Sequence, residues 1–293
     1  MIAIRAGILP GVSSATVATP QYPVVHLRPA GRFTRLNLRD LWEYRDLLYF
    51  LVWRDIKVRY KQTALGATWA VLQPLMTMVV FSVFFGKLAK VPSDGIPYPV
   101  FAYAALLPWQ LFAFAMTEAS NSLVGSQNLI NKVYFPRLVI PIAAVMTGMV
   151  DFIVSFCVLI VLMIIYGITP TLAVLTIPLF IVLVVATALS AGLWLCTLNV
   201  KYRDVRHTIP FLTQFWLFLT PVAYPSSLVP ERWHALYGLN PMAGVVEGFR
   251  WALLGKRDAP GPLLAVSVVM VAALLIGGLY YFRRMEASFA DNI

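Results

Sequence analysis

Arg54, Lys57, Arg59 and Lys61 fall within eight residues of one another, with Asp55 and Tyr60 between them, in the stretch WRDIKVRYKQTALG at 53–66. Cations at this density bind phosphate, in nucleic acid or at a membrane surface. The next stretch decides between the two. From Thr68 to Gly86 there are 19 residues without one ionisable side chain. The cations here, and those in NLINKVYFPRLVIP (128–141) and LNVKYRDVRH (198–207), stand beside apolar runs rather than along a soluble face. This distribution argues for a membrane border and against nucleic acid.

Other chemistry is missing from the sequence. There is no GxxxxGK[ST] phosphate loop, no HExxH, no CxxC and no GxSxG. His26, His207 and His234 are scattered, and Cys157 and Cys196 sit in different apolar runs without metal-ligand spacing. Asp151 is the one acid deep in an apolar stretch, with Glu118 nearer an end. An intramembrane acid is a functional candidate by default. A hydrogen bond to a neighbouring helix accounts equally for a single Asp, and one acid is a thin basis for ion coupling.

The elements that hold these residues follow from composition. Hydrophobic residues make up 60% and charged residues 12%, with a mean hydropathy of +0.77. A soluble domain carries about 25% charged residues. A helix needs about 20 apolar residues to cross the hydrocarbon core. Six segments qualify: 68–86, 96–117, 138–166, 171–199, 208–224 and 259–282. The YGITPT turn separates the third from the fourth, and Pro221 and Pro225 break the fifth. With a cytosolic N-terminus, 17 Lys and Arg lie inside and six outside. The positive-inside rule then puts both termini in the cytosol.

The expected fold is an all-α integral membrane protein of six transmembrane helices. Residues 1–35 read as a flexible cytosolic tail, 36–67 as an interfacial amphipathic helix region, and 284–293 as a cytosolic C-terminus. The strict alternation from Asp55 to Lys61 superficially suggests a strand. As a helix, Leu48, Val52, Ile56 and Tyr60 form one stripe, and Asp55 can pair with Arg59 at i, i+4. Residues 225–258 carry aromatic stretches punctuated by prolines. They predict short re-entrant helices on the periplasmic side, lining or covering a cavity. The whole has a transporter's topology without a visible energy source. Either the substrate runs downhill or another polypeptide supplies the energy.

Together with FAYAALLPWQLF (101–112), TPVAYP (220–225) and LNPMAGVVEGFR (239–250), the three basic stretches resemble the permease subunit of polysaccharide ABC exporters. That family moves lipid-linked O-antigen, teichoic acid and related polymers. The resemblance runs from about Leu47 to the end of span six. It implies a homodimer in the bacterial inner membrane with two copies of a cytosolic ATP-binding subunit. ATP and Mg would sit in that partner, and no cofactor in this chain. A polyprenyl-pyrophosphate-linked polysaccharide, with O-antigen leading, would meet Arg54, Lys57, Arg59 and Lys61 at the cytosolic mouth. A coupling helix would map onto Asn131, Lys132, Tyr134, Phe135 and Arg137. Tyr134–Phe135 before Pro136 suits a knob for a partner's groove, or an aromatic anchor in the inner leaflet. Tyr202, Arg203 and Asp204 would serve a cytosolic gate or hold the end of span four. Trp109 and Trp216, placed mid-span where aromatic belts give no reason for them, become channel-lining candidates with Phe112 and Tyr224. Core packing is the rival reading for these aromatics. Capsular polysaccharide, teichoic acid or another lipid are alternative cargoes. An ion-coupled flippase would need more buried ionisable residues and repeat-related broken helices.

Overall fold

The computed structural model describes residues 38–61, 66–255, 259 and 261–289, all within a unit that spans Arg35–Ile293. The expected tail at 1–35 and the last four residues of the expected C-terminal segment lie outside the described residues. Among the described residues every regular element is a helix. The alternating segment 55–61 belongs to α2 (Arg45–Lys61), which follows the short α1 (Leu38–Glu43). Alternation without a pairing strand has no ladder to join, so the helix wins.

The first long apolar run forms α3 (Gly66–Phe81) and continues as a π-helical turn, Ser82–Leu88. Then come α4 (Tyr98–Gly125), the short α5 (Gln127–Lys132), α6 (Val139–Ile165) and α7 (Ile177–Lys201). After these the chain forms α8 (Val205–Leu219), α9 (His234–Tyr237), α10 (Pro241–Leu254) and α11 (Gly261–Met285). The turn expected after α6 is present. Gly167, at φ 65°, donates to the Ile164 carbonyl (3.1 Å), and Ile168 donates to Met163 (2.9 Å). That pair of bonds is the Schellman closure of a helix end.

Among the described residues five helices are long and apolar enough to cross a membrane: Thr68–Leu88, Tyr98–Gly125, Val139–Ile165, Leu172–Lys201 and Gly261–Met285. They correspond to expected spans one to four and six. The second runs on to Gly125 instead of stopping near residue 117, because Glu118 and Asn121 face a polar cavity between helices rather than lipid. The expected fifth span differs more. α8 has 15 residues, or about 22 Å of helix, against a core of about 30 Å. Helical geometry ends at Thr220, and Pro221 has no N–H with which to continue it.

α4 is the axis of the bundle and packs against α3, α6, α7, α8 and α10. Small residues let its neighbours approach. A Cβ on Gly192 of α7 would stand 2.6 Å from the Ala119 Cβ. A Cβ on Gly248 of α10 would stand 2.0 Å from Phe180 of α7. α7 and α11 interlock through Trp194, which stacks on Tyr281 at 5.0 Å and donates from Nε1 to the Leu274 carbonyl (3.1 Å). A second apolar cluster closes the end of the bundle where α4 finishes and α6 begins; it joins Leu51, Leu123, Ile130, Phe135, Leu138 and Phe282.

These close approaches give a direct test by thermal unfolding in detergent. Gly248→Ala is expected to cost about 1–3 kcal/mol, because the Phe180 ring must move out of a filled site. Gly125→Ala, with nothing within 4 Å of the new Cβ, should be neutral or stabilising by up to about 1 kcal/mol through helix propensity.

Candidate functional site

The basic helix α2 does not hold its charges free. Its last turn lies against α6, where the Tyr60 hydroxyl donates to Asp151 and Arg59 pairs with the other carboxylate oxygen at 2.5 Å. Asp151 stands 12 residues into α6, about 18 Å along its axis. Arg59 also lies over the Phe114 ring of α4 at 4.1 Å. Asp151 is thus bonded to a neighbouring helix, as a lone intramembrane acid requires. Burial, and next the Asp151 bond, push the Tyr60 hydroxyl up to about 12. Arg54 is tied to Asp55 at 2.8 Å. The expected Asp55–Arg59 pairing is therefore replaced by Arg54–Asp55 and Arg59–Asp151.

Lys57 and Lys61 point outward and are exposed, Lys57 over the Trp53 ring at 5.1 Å. The same outer side carries exposed Tyr49, Phe50 and Trp53. The helix is therefore not apolar on one face only. Leu51 and the Leu48–Tyr60 stripe face the bundle, and an aromatic surface with interspersed lysines faces away. Between α2, α4 and α6 lies a cavity of about 610 Å³, lined among others by Arg54, Asp55, Arg59, Glu118 and Asn121. The sequence reading put Glu118 at the end of a span, because it treated charge as a span's limit, and did not mark Asn121; both line this cavity.

The second basic stretch divides by side chain. Asn131, Lys132 and Tyr134 are exposed, Tyr134 at 76%. Phe135 is 5% exposed and belongs to the apolar cluster at that end of the bundle. The expected aromatic knob is therefore one ring, Tyr134, while Phe135 anchors the segment from within. Arg137 turns inward: its backbone N–H donates to the Glu286 carboxylate (3.3 Å), its guanidinium to the Glu286 carbonyl. Tyr202, Arg203 and Asp204 are exposed on the turn from α7 to α8. Asn199 ties that end of α7 to α4, donating to the Ser120 carbonyl at 3.0 Å. These two exposed groups thus share one end of the bundle.

The four channel candidates differ in burial. Trp109 and Phe112 are buried and belong to the main core. Phe112 meets Trp109 at 5.3 Å and Trp216 at 4.9 Å. Packing within the chain accounts for both buried rings, since their faces are already covered. Trp216 is half-buried, and its Nε1 donates to Asn240 (2.9 Å). Asn240 caps α10 by accepting from the Met242 N–H at 3.1 Å. Its amide nitrogen donates to the Leu219 carbonyl and the Thr220 hydroxyl, both at 3.1 Å, so it closes the end of α8 as well. The two helix ends meet beside Phe112, halfway along α4.

Further along α10, Arg250 and Glu247 are 4% and 5% exposed and pair at 3.3 Å. Arg250 donates to the carbonyls of Pro221 (2.6 Å), Val222 (2.7 Å) and Phe101 (3.3 Å). Tyr224 stands beside them, its hydroxyl 2.9 Å from that of Tyr237. The sequence reading counted Arg250 only as an outside charge. Asn240 was legible in principle, since Asn followed by Pro marks a helix start. The role of Arg250 was not, because its acceptors lie some 30 and 150 residues away.

Two measurements follow. In a double-mutant cycle, Tyr60→Phe and Asp151→Asn should show a coupling of about 0.5–3 kcal/mol. Because the folded-state value of Tyr60 is raised, its contribution is complete below about pH 10 and is lost as pH climbs toward 12. Tyr60→Phe should flatten the stability profile in that window. Separately, Asn240→Ala should destabilise the protein by about 1–3 kcal/mol, since it strips the α10 cap and leaves the end of α8 unsatisfied.

Residues 46–254 match the model of the ABC-2 type transporter family. The chain is 31% identical over 261 residues to the O-antigen export system permease protein RfbA of Myxococcus xanthus, covering 87% of this chain and 98% of that protein. It is 30% identical to RfbA of Klebsiella pneumoniae, covering 84% and 94% of the two chains. Over 80% of its length it is also 25% identical to the polysialic acid transport protein KpsM of Escherichia coli, 91% of which is covered. With a bundle of membrane-length helices and a match across most of its residues, this chain belongs to the ABC-2 type transporter family, as a multi-pass membrane component of a transporter.

Proposed function

We propose that this chain is the permease subunit of an ATP-driven exporter of lipid-linked polysaccharide, with O-antigen the leading cargo. The observation that carries the reading is the likeness to O-antigen export permeases over nearly their whole length. The likeness to a polysialic acid transport protein supports a capsular polysaccharide as the second reading. An ion-coupled flippase is less well supported, because Asp151 is already committed to Arg59 and Tyr60.

In this reading two copies sit in a bacterial inner membrane with their termini in the cytosol, each paired with a separate ATP-binding subunit that holds ATP and Mg. Asn131, Lys132 and Tyr134 receive that subunit, with Tyr202, Arg203 and Asp204 beside them at the cytosolic gate. Lys57 and Lys61, two outward cations of α2, meet the pyrophosphate, and the α2 aromatics lie in the inner leaflet. α8 and the turn after it make the fifth span, and α10 is a re-entrant helix. Trp216 and Tyr224 then stand near the translocation path. The exposed Phe211, Phe215 and Phe218 of α8 face that path or the second copy. Flat aromatic faces suit sugar rings sliding past.

Co-purification and vesicle reconstitution test the proposal. An ATPase of separate sequence should copurify with this chain, and lipid-linked polysaccharide should cross the vesicle membrane only with hydrolysable ATP. Transport by the permease alone, or driven by an ion gradient, would overturn it. Lys57→Gln with Lys61→Gln should raise the half-saturating substrate concentration by about tenfold while leaving basal ATP hydrolysis intact.

A further inference from the structure

We propose that Glu286, just beyond α11, is the positioning residue that clamps the coupling segment 133–138 to α11. The inference rests on the permease reading and deepens it. Two connections to Arg137 converge on this one residue. Its side chain accepts the Arg137 backbone N–H (3.3 Å), and its carbonyl accepts the Arg137 guanidinium. The carboxylate also pairs with Arg283 at 3.1 Å. Phe289 seals the joint: it is fully buried, meets Phe282 at 5.2 Å, and has the Arg137 guanidinium 6.0 Å from its ring centre.

Arg283 makes the clamp stiff. Its side chain is 13% exposed, and among the described residues its Nε and Nη2 are enclosed without an acceptor. Glu286 is therefore the carboxylate that balances a largely buried cation while it holds Arg137. A buried cation left without its carboxylate is costly, so the pair resists separation.

The consequence is mechanical. Force delivered at the exposed Tyr134 reaches α6 directly through the chain, and through Arg137 and Glu286 it also reaches α11. α11 is a continuous helix from Gly261 to Met285. Toward its other end the Ser267 hydroxyl lies 3.1 Å from the Gly238 carbonyl and 3.4 Å from that of Asn240. Asn240 is the residue that closes α8 against α10. Glu286 thus lets one rigid helix report the position of the ATPase-facing segment to the broken helix at the far side. A folded joint, not a loose tail, ends the described chain.

The test uses the full permease–ATPase complex in vesicles and two variants. Glu286→Ala removes the carboxylate that accepts the Arg137 N–H and pairs with Arg283. Glu286→Ala combined with Arg283→Gln removes both charges and leaves no orphan Arg283 cation, should the single variant fail to assemble. The readout is polysaccharide exported per ATP hydrolysed. A merely destabilised complex loses export and hydrolysis together, so the ratio holds. Loss of the clamp is expected to lower the ratio by about tenfold while hydrolysis persists. An unchanged ratio in the assembled variant would overturn the proposal. A second readout needs no transport: a spin label at Tyr134→Cys, with Cys157 and Cys196 replaced, should gain mobility in the variants of the isolated permease. Unchanged label mobility would also overturn the clamp. Failure of the unmodified complex to export would instead count against the permease reading.

Discussion

A backbone carbonyl without a donor costs several kcal/mol in hydrocarbon, and the chain between α8 and α10 presents a row of them inside the bundle. α8 stops after 15 residues, and Pro221 prevents any extension of its hydrogen-bond ladder. The carbonyls of Leu219, Pro221, Val222 and Tyr224 must then find donors elsewhere. Asn240 supplies the first and Arg250 the other three. Two polar residues, at the start of α10 and within it, make this break in the helix possible inside the bundle. Arg250 is affordable there because Glu247 balances its charge and the Phe101 ring lies 3.5 Å beneath it.

The same requirement shapes the end where the basic stretches gather. Arg59 is neutralised by Asp151, Arg54 by Asp55 and Arg283 by Glu286. What faces outward there includes Lys57 and Lys61 on α2, Lys132, Tyr134, Lys201, Tyr202, Arg203 and Arg206 at the helix ends, and Arg284 on α11. Charge density in the sequence therefore overstates the charge offered to a partner. Arg59 ties α2 to α6, and the outward cations without a carboxylate partner are available for anions and for another protein.

Much of the architecture was legible because lipid imposes a coarse rule on sequence. Four spans could be bounded within a few residues, since charge ends where hydrocarbon begins. Span two broke that rule at Glu118, which turns to an internal cavity rather than to lipid. The aromatic residues follow a related rule. Trp109 and Trp216 stood out as mid-span rings without a belt to join, and at Trp109, where α4 is enclosed by its neighbours, the ring belongs to the core. In the NKVYFPR stretch the adjacent rings Tyr134 and Phe135 could not be told apart by type, and the fold sends one outward and one inward.

The sequence by itself determined that the chain is a helical membrane protein, which runs are apolar, and which family phrases it carries. Those properties depend on composition and local order, which a bilayer reads one segment at a time. Only the tertiary structure decided which charges are spent within the protein. Arg59 finds Asp151 some 90 residues away, Arg137 finds Glu286 after 149, and Arg250 finds Phe101 across the same separation. Such partners are chosen by helix packing, and packing is set by where small residues such as Gly192 and Gly248 let backbones come close.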